Sequence, residues 1–177
     1  MVGKEPTISS KTVFKGYVFN IRIDEIEVAG KLDTREIIEH DGGVGILAVD
    51  DNGNAYLVRQ YRRGADRVML EIPAGKLMKD EDVLECAIRE LKEEVGITAQ
   101  TMTYLGKFYP TPAYDTEINY IYLAQGLTFG ENNPDEGEEL DPVIMPLKEL
   151  AAKARRAEIE DPKTLTSILW AEKYFDF

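Results

Sequence analysis

Residues 75–97 read GKLMKDEDVLECAIRELKEEVGI. Leu84, Ala87, Ile88, Leu91 and Val95 recur at i, i+3, i+4, i+7 and i+11, the period of an amphipathic helix, and Gly96 supplies a stop. The spacing predicts a helix over 82–95. Its polar side is unusual. Glu90 and Glu94 are four apart and share a face, and Glu93, three from Glu90, lies beside them. All three sit in the last turns, at the negative end of the helix dipole, where carboxylates are disfavoured. Arg89 can pair with Glu93 at i+4, which offsets only part of that cost. On charge alone this is most simply a solvated acidic face. Three close carboxylates held at a cost also suit a hard divalent cation. Mg²⁺ takes oxygen ligands, usually one or two carboxylates plus substrate phosphates.

Outward from this helix the chain is mostly strand. Residues 12–28 mix aromatic and β-branched side chains, 29–33 carry a glycine turn, and 34–40 resume as strand. Residues 44–49 and 55–61 flank DDNGN and read as a hairpin. Residues 63–75 read as a loop, a short strand and a turn. Beyond the helix, 98–108 and 118–124 read as strands around a Pro-rich loop at 109–117, followed by an acidic loop at 131–141. A short strand at 143–147 and helices over 147–157 and 162–174 complete the chain. Strands, one helix, more strands and terminal helices predict mixed α+β layers, not a regular doubly wound fold. Cys86 falls off the main apolar stripe and is expected to be inert packing. His40, just before a turn, is expected to make a structural hydrogen bond.

Composition narrows the function classes. The chain has 177 residues, is 44% hydrophobic and fits one domain with a short N-terminal appendage. One Cys and one His exclude an internal disulfide framework and a multi-Cys or multi-His metal site within one chain. No apolar run approaches the roughly 18 residues of a membrane span, and the N-terminus has no apolar signal core. The expectation is a soluble cytoplasmic protein without a membrane partner. A net charge of −12 argues against nucleic acid as a partner. An anionic small molecule remains compatible, because local Arg residues or a bound cation reverse the local field.

Residues 75–97 have the form G-x5-E-x7-R-E-U-x-E-E-x-G-U, with U a bulky aliphatic, and all nine fixed positions are filled without a gap. This resembles the Nudix box. The resemblance implies an α/β/α sandwich with a mixed β-sheet, in which the box is a loop–helix–loop. It also implies hydrolysis of a nucleoside diphosphate linked to another group, with Mg²⁺ or Mn²⁺. By the same resemblance, Glu90 and Glu94 would be the core metal ligands and Glu93 would assist. Arg89 would orient the glutamates, Gly75 would permit the turn that brings the Ala74 carbonyl to a metal, and Glu81 would play a supporting part.

Segments outside the box narrow the branch. TREIIEH (34–40), LVRQYR (57–62), EIPAGKL (71–77), YPTPAYDTE (109–117), VIMPLKEL (143–150) and IEDPKTLTSILWA (159–171) are similar in order and spacing to the ADP-ribose pyrophosphatase branch. That likeness implies Arg35 and Arg62 as substrate arginines and Tyr17 as an adenine contact, with Phe19 as an alternative. It implies Glu117 as the general base, with Glu93, Glu136 and Glu139 as alternatives. It further implies a homodimer that exchanges N-terminal strands, with segment 1–41 ahead of a catalytic domain over 42–177. The expected reaction is ADP-ribose to AMP and ribose 5-phosphate. Other nucleoside diphosphate sugars, or a ligand sensor without turnover, are the alternatives.

Overall fold

The structure, a computed structural model, describes residues 3–134 and 137–176. Two compact units divide it: 3–42 with 109–118, and 43–108 with 119–134 and 137–176. In the first unit, β1 (Thr7–Lys15), β2 (Asn20–Val28) and β3 (Lys31–Glu39) form an antiparallel sheet in that order. β1 starts five residues ahead of the apolar signal, because its opening TISSK is polar and all nine of its residues are exposed. The β2–β3 turn is Ala29–Gly30 alone. Both residues have positive φ, 52° and 75°, which matches the right-handed twist of a two-residue hairpin. Leu32 and Asp33, expected in the turn, are therefore already strand. Residues 109–118 join this unit through backbone bonds. Ile38 N–H donates to the Tyr114 carbonyl at 2.8 Å, and Thr116 N–H donates to the Ile38 carbonyl at 3.0 Å. His40 makes the expected local bond, its Nδ1 accepting from the Gly42 N–H at 2.9 Å.

The second unit contains β4 (Gly43–Val49), β5 (Asn54–Arg62), β6 (Arg67–Glu71), β7 (Ala74–Lys76), α1 (Val83–Val95), β8 (Ile97–Phe108), β9 (Asn119–Phe129), β10 (Leu140–Pro146), α2 (Leu147–Arg155) and α3 (Pro162–Ala171). The sheet runs β10-β5-β4-β9-β8 and is mixed, since β4 and β9 are parallel and the other pairs antiparallel. β4 is buried along its whole length, which explains its unbroken apolar run. Val44, Ile46 and Ala48 pack with Ala87 and Leu91 of α1. Leu47 and Val49 pack with Leu150 of α2 and Ile168 of α3. The expected α/β/α sandwich is present.

One irregularity positions the site. β4 and β5 pair only at Ala48–Tyr56 and Val49–Ala55, then separate. β6 takes over the edge of β5, and β7 takes over the edge of β4 at residues 43–45. This fork brings Ala74–Lys76 against α1.

α1 is capped as the sequence suggests. The Asp82 carboxylate accepts from the N–H groups of Leu84 and Glu85, and Gly96 ends the helix with φ 67°. Its rotation differs from the apolar stripe. Cys86, Ala87, Leu91 and Glu94 are the buried residues, whereas Leu84 and Ile88 are 39% and 44% exposed. Cys86 thus lies in the core, not beside it, with its Sγ donating to the Lys76 carbonyl and its thiol pushed up to about 12 by burial. Among the described residues no helix is long and apolar enough to cross a membrane.

Candidate active site

The rotation of α1 turns Glu90 and Glu94 toward the fork. Glu94 is only 2% exposed, and its Oε2 accepts from the Ala74 N–H at 3.0 Å. The Glu90 carboxyl lies directly over Gly75, so close that a Cβ there would overlap it. Gly75 does not have a positive φ. The glycine leaves room for the close approach of the Glu90 carboxyl.

Arg89 organises the polar edge of the helix. Its Nη1 donates to Glu90 at 2.7 Å and to Glu93 at 2.9 Å. Its Nε and Nη2 donate to the two oxygens of Glu81 at 2.8 and 3.1 Å. Glu81 also accepts from the Met78 N–H and so pins the loop leading into the helix. The Arg89 hydrogen bonds, aided by that N–H, hold the Glu81 carboxyl down at about 2.

The two inward glutamates behave in the opposite way. Burial pushes Glu94 up to about 8; the Ala74 N–H opposes this, and the charges of Glu90 and Glu138 add to it. Burial also raises Glu90, against the pull of Arg89 and with the push of Glu93 and Glu138. Among the described residues no three His, Cys, Asp or Glu side chains are close enough to hold a metal ion by themselves. A buried and a half-buried carboxylate in need of positive charge nevertheless fit a Mg²⁺-type site, which fills its remaining positions with water and phosphate. Nudix hydrolases as a family work with a divalent cation.

Other expected site residues fall in both units. Arg62 forms a two-pronged pair with the buried Glu71, Nε to Oε1 at 2.7 Å and Nη2 to Oε2 at 2.6 Å. In the N-terminal unit, Tyr17 is 95% exposed. Arg35 reaches Glu5 at 3.0 Å and Asp33 at 2.7 Å. Glu117 donates its N–H to Asp115 Oδ1. Glu136 lies outside the described residues, and Glu139 is exposed. Sequence reading overlooked Glu138, whose charge bears on both inward glutamates, and Glu71, the partner of Arg62. Glu71 opens the EIPAGKL run that leads into the box, whereas nothing in the run GEEL singles out Glu138.

Comparison with known proteins gives a consistent picture. The NUDIX domain model matches residues 39–167. An ADP-ribose pyrophosphatase of Bacillus subtilis (strain 168) is 36% identical over 172 residues, covering 96% of this chain and 93% of its own. A methanol dehydrogenase activator of Bacillus methanolicus is 34% identical with the same coverage. A crystal structure of an ADP compounds hydrolase superposes with a TM-score of 0.85 at 26% identity, covering 98% of this chain and 95% of that one. With a gapless box, the sandwich that carries it and a matching family model over most of its length, this chain belongs to the Nudix family.

Proposed function

We propose that this protein hydrolyses ADP-ribose to AMP and ribose 5-phosphate, with Mg²⁺ as the cofactor and Mn²⁺ as a substitute. The observation that carries the reading is the pair of inward glutamates, half-buried Glu90 and buried Glu94, packed against a glycine-backed strand in an intact box. Similarity to proteins named for ADP-ribose and ADP compounds directs the choice of substrate. Water adds to one phosphorus, the bridging oxygen leaves with the other phosphate, and the proton of water passes to a carboxylate. The cation, when bound, neutralises the diphosphate and makes water acidic enough to attack. Glu90, Glu94 and the Ala74 carbonyl would hold it, with Glu93 assisting. Arg89 keeps Glu90 and Glu93 aimed. Arg62 would grip a phosphate oxygen with the edge that Glu71 leaves open. Arg35 and Tyr17 would contact substrate, Tyr17 by stacking on adenine.

Two segments compete for the proton-accepting carboxylate. Glu117 is the expectation from family likeness. Glu138 is a second candidate, because its charge bears on Glu90 and Glu94. Glu117→Gln and Glu138→Gln separate them. Loss of the base lowers kcat by roughly 10²–10⁴-fold with KM retained.

The N-terminal sheet supports a homodimer. Ile8, Val13, Phe14 and Leu32 on the three-stranded sheet, and Val18 and Phe19 in its β1–β2 connection, are between 38% and 77% exposed. An apolar surface of this kind is normally covered by a partner, and a second copy is the commonest one. Light scattering at several concentrations tests this. A cytoplasmic location accords with the free, buried Cys86 thiol.

The activity test measures phosphate release through a coupled phosphatase on ADP-ribose, ADP-glucose, GDP-mannose and dGTP, with Mg²⁺, with EDTA and with Glu94→Gln. Metal-dependent turnover that is best on ADP-ribose and lost in Glu94→Gln supports the reading. Another best substrate keeps the box chemistry and replaces the substrate. ADP-ribose binding without turnover on any substrate would indicate a sensor.

A further inference from the structure

Behind Arg62 lies a chain of charges that the box does not contain. Glu71, 1% exposed, accepts from Arg62 with both oxygens, and its Oε2 also accepts from Lys163 Nζ at 3.2 Å. Lys163 Nζ donates in addition to Asp161 Oδ1 at 2.7 Å. Asp161 is 2% exposed, and its other oxygen caps α3 by accepting from the Thr164 N–H at 2.8 Å and the Thr164 hydroxyl at 2.7 Å. The Thr164 hydroxyl oxygen in turn accepts from the N–H of Ile72, the residue after Glu71. The Lys163 Cβ lies over Gly45 of β4. Two cations and two buried carboxylates therefore alternate from the start of α3 to Arg62, and their charges sum to zero.

We propose that Lys163 is a positioning residue: by sharing Glu71 it leaves Arg62 with positive charge to offer the substrate diphosphate. The proposal rests on the reading of Arg62 as a phosphate contact. Without Lys163, one arginine would face two buried carboxylates, and the cluster would carry a net negative charge. A buried carboxylate needs its counter-charge far more than an exposed one does. Glu71 would then hold Arg62 to itself, and an incoming diphosphate would meet a neutralised guanidinium beside an extra anion. The charge of Lys163 already contributes to lowering Glu71, although burial works strongly against it.

The test compares kcat, KM for ADP-ribose and Tm of the full chain with those of Lys163→Met, Lys163→Arg and Asp161→Asn. Methionine keeps the packing over Gly45 and removes the charge. Lys163→Met should raise KM about tenfold, as loss of a charge next to a bound anion does, with kcat within about threefold. Lys163→Arg should return KM to near the wild-type value. Asp161→Asn keeps an acceptor for the helix cap and gives the cluster a positive charge, so KM should fall. A KM unchanged in Lys163→Met, a loss confined to kcat, no rescue by arginine, or a rise in KM with Asp161→Asn would each overturn the proposal. Should Lys163→Met not fold, Asp161→Asn alone decides it. Calorimetric titration with inorganic pyrophosphate and Mg²⁺ separates this idea from the activity. If ADP-ribose is not turned over but pyrophosphate binds and is weakened in Lys163→Met, the substrate reading fails and the positioning role stands. If the wild type does not bind pyrophosphate, the positioning role fails.

Discussion

Glu94→Gln should make the metal-free protein more stable, by an amount that grows as pH rises from about 4.3 to 8. The Glu94 carboxyl is 2% exposed and pushed up to about 8, by burial first and by the charges of Glu90 and Glu138 after the Ala74 N–H has opposed it. An unfolded glutamate titrates near 4.3, so between about pH 4.3 and 8 the folded state binds a proton that the unfolded state has released. Stability therefore falls as pH rises through that window and levels off above it. At about 1.4 kcal/mol per unit, the ionised carboxylate costs the fold up to roughly 4–5 kcal/mol, and relaxation around it leaves on the order of 2 kcal/mol. Glutamine keeps an oxygen to accept from Ala74 and carries no charge. In EDTA, Tm of Glu94→Gln should exceed that of the wild type by roughly 5 °C near pH 8.5. Near pH 5 the two should differ little, because the wild-type residue is then protonated. Mg²⁺ should reverse the order at pH 8.5, raising Tm of the wild type while leaving Glu94→Gln unchanged, because the metal takes the deprotonated form. Thermal scans from about pH 5 to 9, with EDTA and with Mg²⁺, read both effects. A Glu94→Gln protein that is less stable than the wild type in EDTA at every pH would refute the reasoning.

Three further outcomes follow from the same geometry. Gly75→Ala places a methyl group where the Glu90 carboxyl lies; it should destabilise the fold by about 1–3 kcal/mol through overpacking, read as a lower Tm, and reduce Mg²⁺ affinity measured by calorimetry. Arg89→Gln removes the shared cation of Glu81, Glu90 and Glu93 and should cost on the order of 3 kcal/mol at neutral pH. Glu81 is held down at about 2, so its share of that loss exists above the unfolded value and disappears as pH falls toward about 2; denaturant curves at pH 7 and pH 3 should show the difference shrinking. Asp82→Ala removes the cap of α1 and should cost about 1 kcal/mol in chemical denaturation while kcat stays near wild type.

The features legible in the sequence are those whose causes are local. The helix of the box, its cap and its stop depend on residues within one or two turns of each other, so periodicity and spacing found them. The juxtaposition of Glu90 and Glu94 is likewise a property of a four-residue interval. The fork between β4 and β5 was not legible, because it depends on which strand edge each of β6 and β7 chooses. The network behind Arg62 was hidden for the same reason, since Glu71 and Lys163 are 92 residues apart and touch only after the sheet and α3 have packed. The approach of Glu90 over Gly75 was not legible, because a sequence shows that a side chain is missing without showing what fills its place.

The rotation of α1 shows where local reasoning ends and function begins. Periodicity placed Leu84 and Ile88 inside, and burial of apolar surface favours that arrangement. The protein instead leaves both substantially exposed and turns Glu94 into the interior with Cys86, bringing Glu90 over Gly75. Exposing two aliphatic side chains runs against the hydrophobic effect, and burying a carboxylate adds a desolvation cost. Neither the Ala74 N–H at Glu94 nor Arg89 at Glu90 prevents the pKa of each glutamate from rising, so the neighbouring groups leave the ionised pair undercompensated. A helix set in this rotation is stabilised most when positive charge arrives from outside the chain, which is the condition under which a divalent cation and a diphosphate are brought together at the fork.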